Sequence, residues 1–417
     1  MSDQSGMNKD QKREHAVTPK RLSLTYLRRY GTDDIRSTGQ TLEQTGEDEN
    51  LLIHGDNLEA MRILTPDYRG RVRMMYWDVP YNTGSDSFAY RDSLPRDAWL
   101  QFIKERVEAA LPLMAEEDGV FLIHCSFHEY AYLKVMLDAI MGRYVMTFHV
   151  LVRHPDRMLT GDKDYNDVIE YILVYAKNPR FRMPKRQVQK QVDDYRWVVT
   201  ELTEGRPMTF GDRQGRAFLP GEYELKKVPP SRENLKVMTV RGSIREKVSS
   251  GRFYVQYLQP LEALYPPKTL FKVEGIGDDM YDHRYFYLPP EGRKNGAYLQ
   301  GMPTSSAYTR VPYANFLDFS ADYNAMHDEG GVEFRNGKKP ESLLAFLMDI
   351  FTREGDLVLD AFGGSGTTAA VALKKNRRFI LCEQMDYIES ITIPRLQGVL
   401  QSGVPGSFLY ATILTNK

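Results

Sequence analysis

Two short segments of this chain carry residues that could do chemistry. The first is Asp78-Val79-Pro80-Tyr81, which follows the apolar run Val72 to Trp77 and is trailed by Asn82, Thr83 and Gly84. A strand ending in this turn offers a carboxylate, a backbone carbonyl next to a stiffening proline and an aromatic ring. The exocyclic amino group of adenine or cytosine is a poor nucleophile, because its lone pair is delocalised into the ring. Asp78 and the Val79 carbonyl can accept its two hydrogens and favour a pyramidal, reactive nitrogen. Tyr81 can stack on a base drawn out of a duplex, with Asn82 and Thr83 as further hydrogen-bonding groups. By itself, Asp-x-Pro-Tyr reads first as a strand-terminating turn with a surface acid.

The second segment is Asp360-Ala361-Phe362-Gly363-Gly364-Ser365-Gly366-Thr367-Thr368. An apolar strand precedes it and a helical stretch follows. Glycines there let the backbone turn sharply and approach a ligand closely. Glu383 lies 23 positions beyond Asp360, at the end of the next apolar run. That is close to the roughly 20 expected of an acid that reaches ribose hydroxyls. The loop lacks the Gly-Lys-Ser/Thr ending of a triphosphate loop, and its glycine spacing is not Gly-x-Gly-x-x-Gly. A tight turn without ligand is the plainer alternative.

The elements that must position these segments alternate. Strands are expected at Leu51 to His54, Val72 to Trp77, Gly119 to Ile123, Met146 to Arg153, Val168 to Ala176, Asp356 to Leu359 and Arg378 to Cys382. Helices are expected at Asn57 to Leu64, Asp97 to Leu113, Glu129 to Met141, Leu343 to Phe351 (opened by Pro340) and Thr367 to Leu373. This rhythm implies an α/β fold with a mostly parallel sheet, whose ligands sit at the strands' carboxyl ends. Asp56 and Asp78 fall at such ends. Residues 1–50 read as a polar, partly disordered segment with one helix around Leu22 to Tyr30, residues 51–178 and 332–398 as two halves of one domain, and 399–417 as a terminal strand or tail.

Residues 179–331 lose the rhythm. From Phe181 to Arg252 there are 16 Lys+Arg against 9 Asp+Glu, interleaved with aromatics such as Tyr195, Trp197 and Phe210. A basic, aromatic insertion suits nucleic-acid contact; an ordinary solvated insertion is the alternative. Candidate DNA contacts are Asn82, Thr83, Arg153, Lys185, Arg186, Arg241 and Arg245. Over all 417 residues, 55 Lys+Arg balance 56 Asp+Glu, which argues against a non-specific polycation. Cys125 and Cys382 build no disulfide framework. His124-Cys125-x-x-His128 has the look of a metal cluster, but three such groups at a strand end are more often incidental, and no metal is expected. No apolar run approaches the roughly 20 residues of a membrane helix, and the first residues carry no signal-peptide pattern. A soluble cytoplasmic protein is expected.

Taken together these segments resemble the β-class amino-methyltransferases, most closely the modification subunits of Type III restriction–modification systems. The resemblance also covers Leu52 to Ala60, Glu129 to Lys134, Glu170 to Lys177 and Gly337 to Glu341, on both sides of the insertion. The catalytic motif precedes the cofactor motif, the permuted order of one class of these enzymes. The resemblance implies a Rossmann-like, seven-stranded, circularly permuted sheet with one antiparallel strand, binding S-adenosylmethionine (SAM), with the insertion as target-recognition domain. By position, Asp360, Phe362, Gly364, Gly366 and Thr367 would line SAM, Glu383 would hold its ribose, Asp56 would approach its adenine, and Lys339 and Pro340 would start the helix near its carboxylate. Asp78, Val79, Pro80 and Tyr81 would hold the target base.

The chain departs from the family twice. Val79 replaces the first proline of Asp-Pro-Pro-Tyr, keeping the carbonyl but adding an N–H. Type III subunits also run longer beyond the cofactor segment, which points towards an orphan or phage-type enzyme. The implied reaction is methylation of adenine N6 in double-stranded DNA. Methylation of cytosine N4 and a silent, SAM-retaining DNA-binding subunit are the alternatives. A homodimer or a restriction subunit would be the protein partner, with no membrane association.

Overall fold

The computed structural model describes residues 22–31, 49–84, 93–156, 166–242, 245, 248–304, 308–334 and 337–415. The chain divides into two compact units, one formed by residues 185–312 and the other by the chain on either side of them.

The flanking unit is built on a ten-stranded sheet. In chain order its strands are β1 (Leu22–Gly31), β2 (Asn50–His54), β3 (Val72–Asp78), β4 (Val120–Cys125), β5 (Arg143–Leu151), β6 (Ile169–Ala176), β7 (Phe316–Asp318), β8 (Leu357–Asp360), β9 (Arg378–Glu383) and β10 (Ser407–Thr415). The spatial order is β1-β10-β2-β9-β8-β3-β4-β6-β5-β7. The seven strands from β2 to β5 in that order are parallel apart from β6, which runs antiparallel to both neighbours. This is the sheet that the family resemblance implies. β10 and β7 extend it in parallel at either side, and β1 pairs antiparallel with β10.

Strands buried on both faces read as continuous apolar runs, and here alternate side chains enter two cores. Tyr76 joins Met74, Leu122 and the helices Glu341–Phe351 and Thr367–Lys374 on one face. Trp77 joins Met75, Phe121 and the helices Asn57–Tyr68, Arg96–Ala110 and Phe127–Ile140 on the other. β8 lies directly beside β3, with Val358 opposite Met74. The two chemical segments, far apart in the chain, therefore emerge side by side at one edge.

Three expectations change. The segment around Leu22 to Tyr30 is strand β1, not a helix: β10 offers it a partner along its whole length, and Tyr30 stacks on Phe408 with ring centroids 4.8 Å apart. The rest of residues 1–50, save 31, 49 and 50, lies outside the described residues. Residues 313–331, read from sequence as the end of the insertion, belong to the flanking unit: β7 pairs with β5, and Tyr313, Phe319 and Tyr323 pack on its core. The 185–312 unit is antiparallel β rather than irregular. Its six-stranded sheet closes on an aromatic core containing Phe210, Phe253, Phe271 and Phe286.

Behind the glycine loop, Arg395 is fully buried and donates to Ser365 Oγ at 3.0 Å, Thr367 Oγ1 at 2.8 Å and Glu341 Oε1 at 2.9 Å. Removing one partner of a buried ion pair leaves an uncompensated charge. Glu341→Ala should therefore lower the unfolding free energy by about 3 kcal/mol, read from the urea midpoint; a loss within error of zero would show that Arg395 does not depend on this carboxylate.

Candidate active site

At the carboxyl edge of β3 and β8 lies a cavity of about 270 Å³. Asp78, Pro80 and Asn82 line one part of it; Asp360, Phe362, Gly363, Gly364, Ser365, Thr367, Thr368 and Glu383 line another. Two of the loop glycines are conformationally required: Gly364 has φ +51° and Gly366 φ +80°, the left-handed region that side chains disfavour. Gly363 is required for space, since a Cβ there would run into Leu381 and lie 3.0 Å from the Cys382 carbonyl. Glu383 fastens the loop, accepting from Gly364 N at 2.7 Å and Met385 N at 2.9 Å. Asp360 accepts from Phe362 N at 3.0 Å and Thr368 Oγ1 at 2.6 Å. Burial, reinforced by Asp78 and Glu383, pushes the Asp360 carboxyl up to about 8; burial also raises Glu383. Two buried acids facing one cavity suit a ligand that carries positive charge and hydroxyl groups.

The other part of the cavity is held by a cluster around Glu170. Lys339 Nζ lies 3.1 Å from Asp78 Oδ1 and 3.4 Å from Glu170 Oε2, and donates to the Tyr81 hydroxyl at 2.9 Å. The Tyr81 hydroxyl donates onward to Glu170 Oε2 at 3.1 Å, and Tyr323 donates to the same oxygen at 3.2 Å. His124 brings Nε2 to 2.9 Å from Glu170 Oε2 and holds Tyr76 through Nδ1 at 2.8 Å. The Lys339–Asp78 and His124–Glu170 approaches lie off the ideal hydrogen-bond line and act as close electrostatic contacts. Burial works to raise the Glu170 carboxyl, but Lys339, His124 and Tyr81 outweigh it and hold it well below the usual carboxylate range. Burial works to lower Lys339, and Asp78 and Glu170 reverse this, holding it above an ordinary lysine. Burial, then Asp78 and Glu170, push Tyr81 well above an ordinary phenol.

The remaining residues singled out from sequence fall in several places. Val79 is buried beneath the turn, and Trp99 Nε1 donates to the Pro80 carbonyl at 2.9 Å, fixing it. Asn82 adopts φ +55°, donates to Glu129 Oε1 at 3.0 Å and accepts from Leu94 N at 2.8 Å. Asp56 is engaged away from the cavity: it caps the helix Asn57–Tyr68 through Glu59 N at 3.1 Å and pairs with Arg106 at 2.7 Å. Its neighbour Asn57 lines the cavity instead. Pro340 occupies the N-cap of its helix, and Lys339 faces Asp78 and Glu170 rather than the glycine loop. Thr83, Lys185, Arg186 and Arg241 are exposed, Arg245 is half-buried, and Arg153 donates to the Asp167 carbonyl at 2.9 Å. Cys125 is buried and His128 is exposed; no metal-holding group occurs among the described residues.

Sequence reasoning missed Glu170, Tyr323, Tyr76 and Arg395, and gave His124 only an incidental reading. The signal for Glu170 was its place at the start of β6. In an antiparallel strand the first residues, not the last, reach the edge where parallel neighbours end.

Because an aspartate's ordinary range lies near 4 and Asp360 titrates near 8 in the fold, the unfolded chain releases this proton first. Stability is then full at low pH, falls as pH rises from about 4 to about 8, and levels above. Asp360→Asn should remove that slope. Urea midpoints of both proteins at pH 5, 7 and 9 should diverge in the variant's favour as pH rises; parallel curves would show that Asp360 ionises normally.

The model of the DNA methylase family (N6_N4_Mtase) matches residues 72–393. The "Probable type III restriction-modification enzyme HindVI Mod subunit" of Haemophilus influenzae is 31% identical, over 92% of this chain and 57% of its own length. The type III StyLTI Mod subunit of Salmonella typhimurium is 26% identical, over 86% of this chain and 56% of its own. Among solved structures, the M1.HpyAVI–SAM complex is 13% identical, covers 83% of this chain and 98% of its own, and superposes with a TM-score of 0.38. The chain spans little more than half the length of the two curated relatives. With the match running through both the Asp78 turn and the glycine loop, the chain belongs to the DNA methylase family.

Proposed function

We propose that this protein transfers the methyl group of SAM to the N6 amino group of an adenine flipped out of double-stranded DNA. The observation that carries the reading is the single cavity lined by both Asp78 and the Asp360–Glu383 loop. SAM, when bound, supplies an activated methyl group. Phe362, Gly364 and Thr367 would border it, Asp360 would face its positive charge, and Glu383 its ribose. Asp78 would accept a hydrogen bond from one amino hydrogen and the Val79 carbonyl from the other, which would free the nitrogen's lone pair to act as nucleophile. Tyr81, its hydroxyl held by Lys339 and Glu170, presents a fixed ring on which the extruded base can stack. Aspartate at the head of the turn favours adenine over cytosine.

The 185–312 unit would read the DNA, with Lys185, Arg186, Arg241 and Arg245 as contacts there, and Asn82, Thr83 and Arg153 as contacts on the flanking unit. The setting is a restriction–modification system or an orphan or phage counterpart, in the cytoplasm where SAM and DNA meet. The protein partner would be a second copy or a restriction subunit. Among the described residues, no helix is long and apolar enough to cross a membrane.

Incubation with tritiated SAM and unmethylated genomic DNA, followed by nucleoside mass spectrometry, should place the label in N6-methyladenine. Asp78→Ala should lower transfer by at least about 100-fold, on the scale of losing one preorganised transition-state contact. Label in N4-methylcytosine would reassign the base. Intact SAM binding with no transfer to DNA would favour a silent DNA-binding subunit.

A further inference from the structure

Glu170 sits where no substrate or cofactor need touch it, yet it is the hub of the site. One of its oxygens receives Tyr81 at 3.1 Å, Tyr323 at 3.2 Å, His124 at 2.9 Å and Lys339 at 3.4 Å. These partners come from the turn after β3, the chain just before the helix Glu341–Phe351, the end of β4 and the segment that follows the 185–312 unit. The Tyr81 hydroxyl is doubly committed, accepting from Lys339 and donating to Glu170. A phenol held at both its lone pair and its proton cannot rotate out of the ring plane that these two partners select. The Lys339 ammonium also lies 4.9 Å from the Tyr81 ring centroid, which further restricts the ring's tilt.

We propose that Glu170 is a positioning residue for methyl transfer: it fixes the Tyr81 ring as the platform for the target base, and holds Lys339 against Asp78. This rests on the function proposed above and names a further residue in the same site. A carboxylate is required there because two hydroxyls donate to it and the Lys339 ammonium and His124 Nε2 lie against it. A glutamine could keep an oxygen at that position, but it would remove the negative charge that pairs with the Lys339 ammonium. Because the effect passes through Tyr81, it should appear in the chemical step and leave SAM binding alone, since SAM would border the glycine-loop part of the cavity.

The test is a double-mutant cycle in the full chain, with Glu170→Gln, Tyr81→Phe and the double variant. Transfer from tritiated SAM to unmethylated genomic DNA gives kcat and the KM for SAM. Glu170→Gln should lower kcat on the order of 10²-fold, as small misplacements of reacting groups do, with the KM for SAM within about two-fold of wild type. In the Tyr81→Phe background the same substitution should cost less than about five-fold, the non-additivity expected of groups acting as one unit. Tyr323→Phe, which removes one donor and leaves the carboxylate, should lower kcat more mildly; it carries the test if Glu170→Gln does not melt cooperatively. Fully multiplicative losses, an unchanged kcat, or a loss confined to the KM for SAM would each overturn the proposal. If wild-type protein transfers no methyl group at all, the proposed function falls and this inference with it; transfer that Glu170→Gln leaves intact removes this inference alone.

Discussion

The structure of the active edge depends on one buried positive charge. The side chain of Lys339 is 7% exposed, and an ammonium so removed from water costs several kcal/mol unless it is paired. Its pairing comes from Asp78, Glu170 and the Tyr81 hydroxyl. These belong to β3, the start of β6 and the turn after β3, so burying Lys339 obliges all three to converge. Register matters for the same reason: β6 must present Glu170 near His124 at the end of β4, and the pairing of His124 with Ile172 places it there. A slip of one residue would turn Glu170 to the other face of the sheet and leave the lysine with too few partners. Such networks add little net stability compared with an apolar core. What this one supplies is a single geometry for Asp78 and Tyr81.

The long interval between the two chemical segments becomes intelligible from the sheet. β8 and β3 are neighbours in space, so the chain can reach one from the other through an excursion of any length. The entropic cost of closing such an excursion grows only slowly with its length. The chain leaves after β6 and returns as β7 beside β5, so both ends of the excursion are anchored on the same side of the sheet. Tyr323, on the returning segment, is already committed to Glu170, which ties the return of the chain to the catalytic turn.

The sequence exposes those features that depend on local pattern. The buried strands appear as apolar runs, the strand ends as acids, and the cofactor turn as glycines whose φ values no other residue would adopt readily. It conceals features that depend on which way a strand runs or on where a side chain's partner comes from. Glu170 reads as a residue near the start of an ordinary strand until β6 is known to be antiparallel. Asp56 has the position of a ligand acid, but an acid just before a helix is equally an N-cap, and Arg106, fifty residues on, claims its other oxygen. Lys339 precedes the helix that leads to the glycine loop in the chain, yet its long side chain reaches across to Asp78 and Glu170. His124 and Cys125 alternate on one strand, so they face opposite sides of the sheet and cannot share a ligand. The segment from Leu22 is a strand because β10 pairs with it, and no local pattern announces a partner nearly four hundred residues away.

The two sides of the cavity differ in charge, and the difference bears on the chemistry. On the glycine-loop side, burial makes both Asp360 and Glu383 harder to ionise than free carboxylates. On the catalytic side, Lys339 offsets one of the two carboxylates, leaving a net charge near minus one from Asp78, Glu170 and Lys339. A ligand with positive charge restores ionisation to the first pair and gains by doing so. In the proposed reaction positive charge would pass towards the amino nitrogen, and so towards the second group. A site that is electron-rich at both ends, and immobilised before the reaction begins, favours that displacement without having to reorganise during it. Glu170 accounts for the immobility. A free Asp78 and a free Tyr81 would have the same charges, but they would have to be ordered at the moment of transfer.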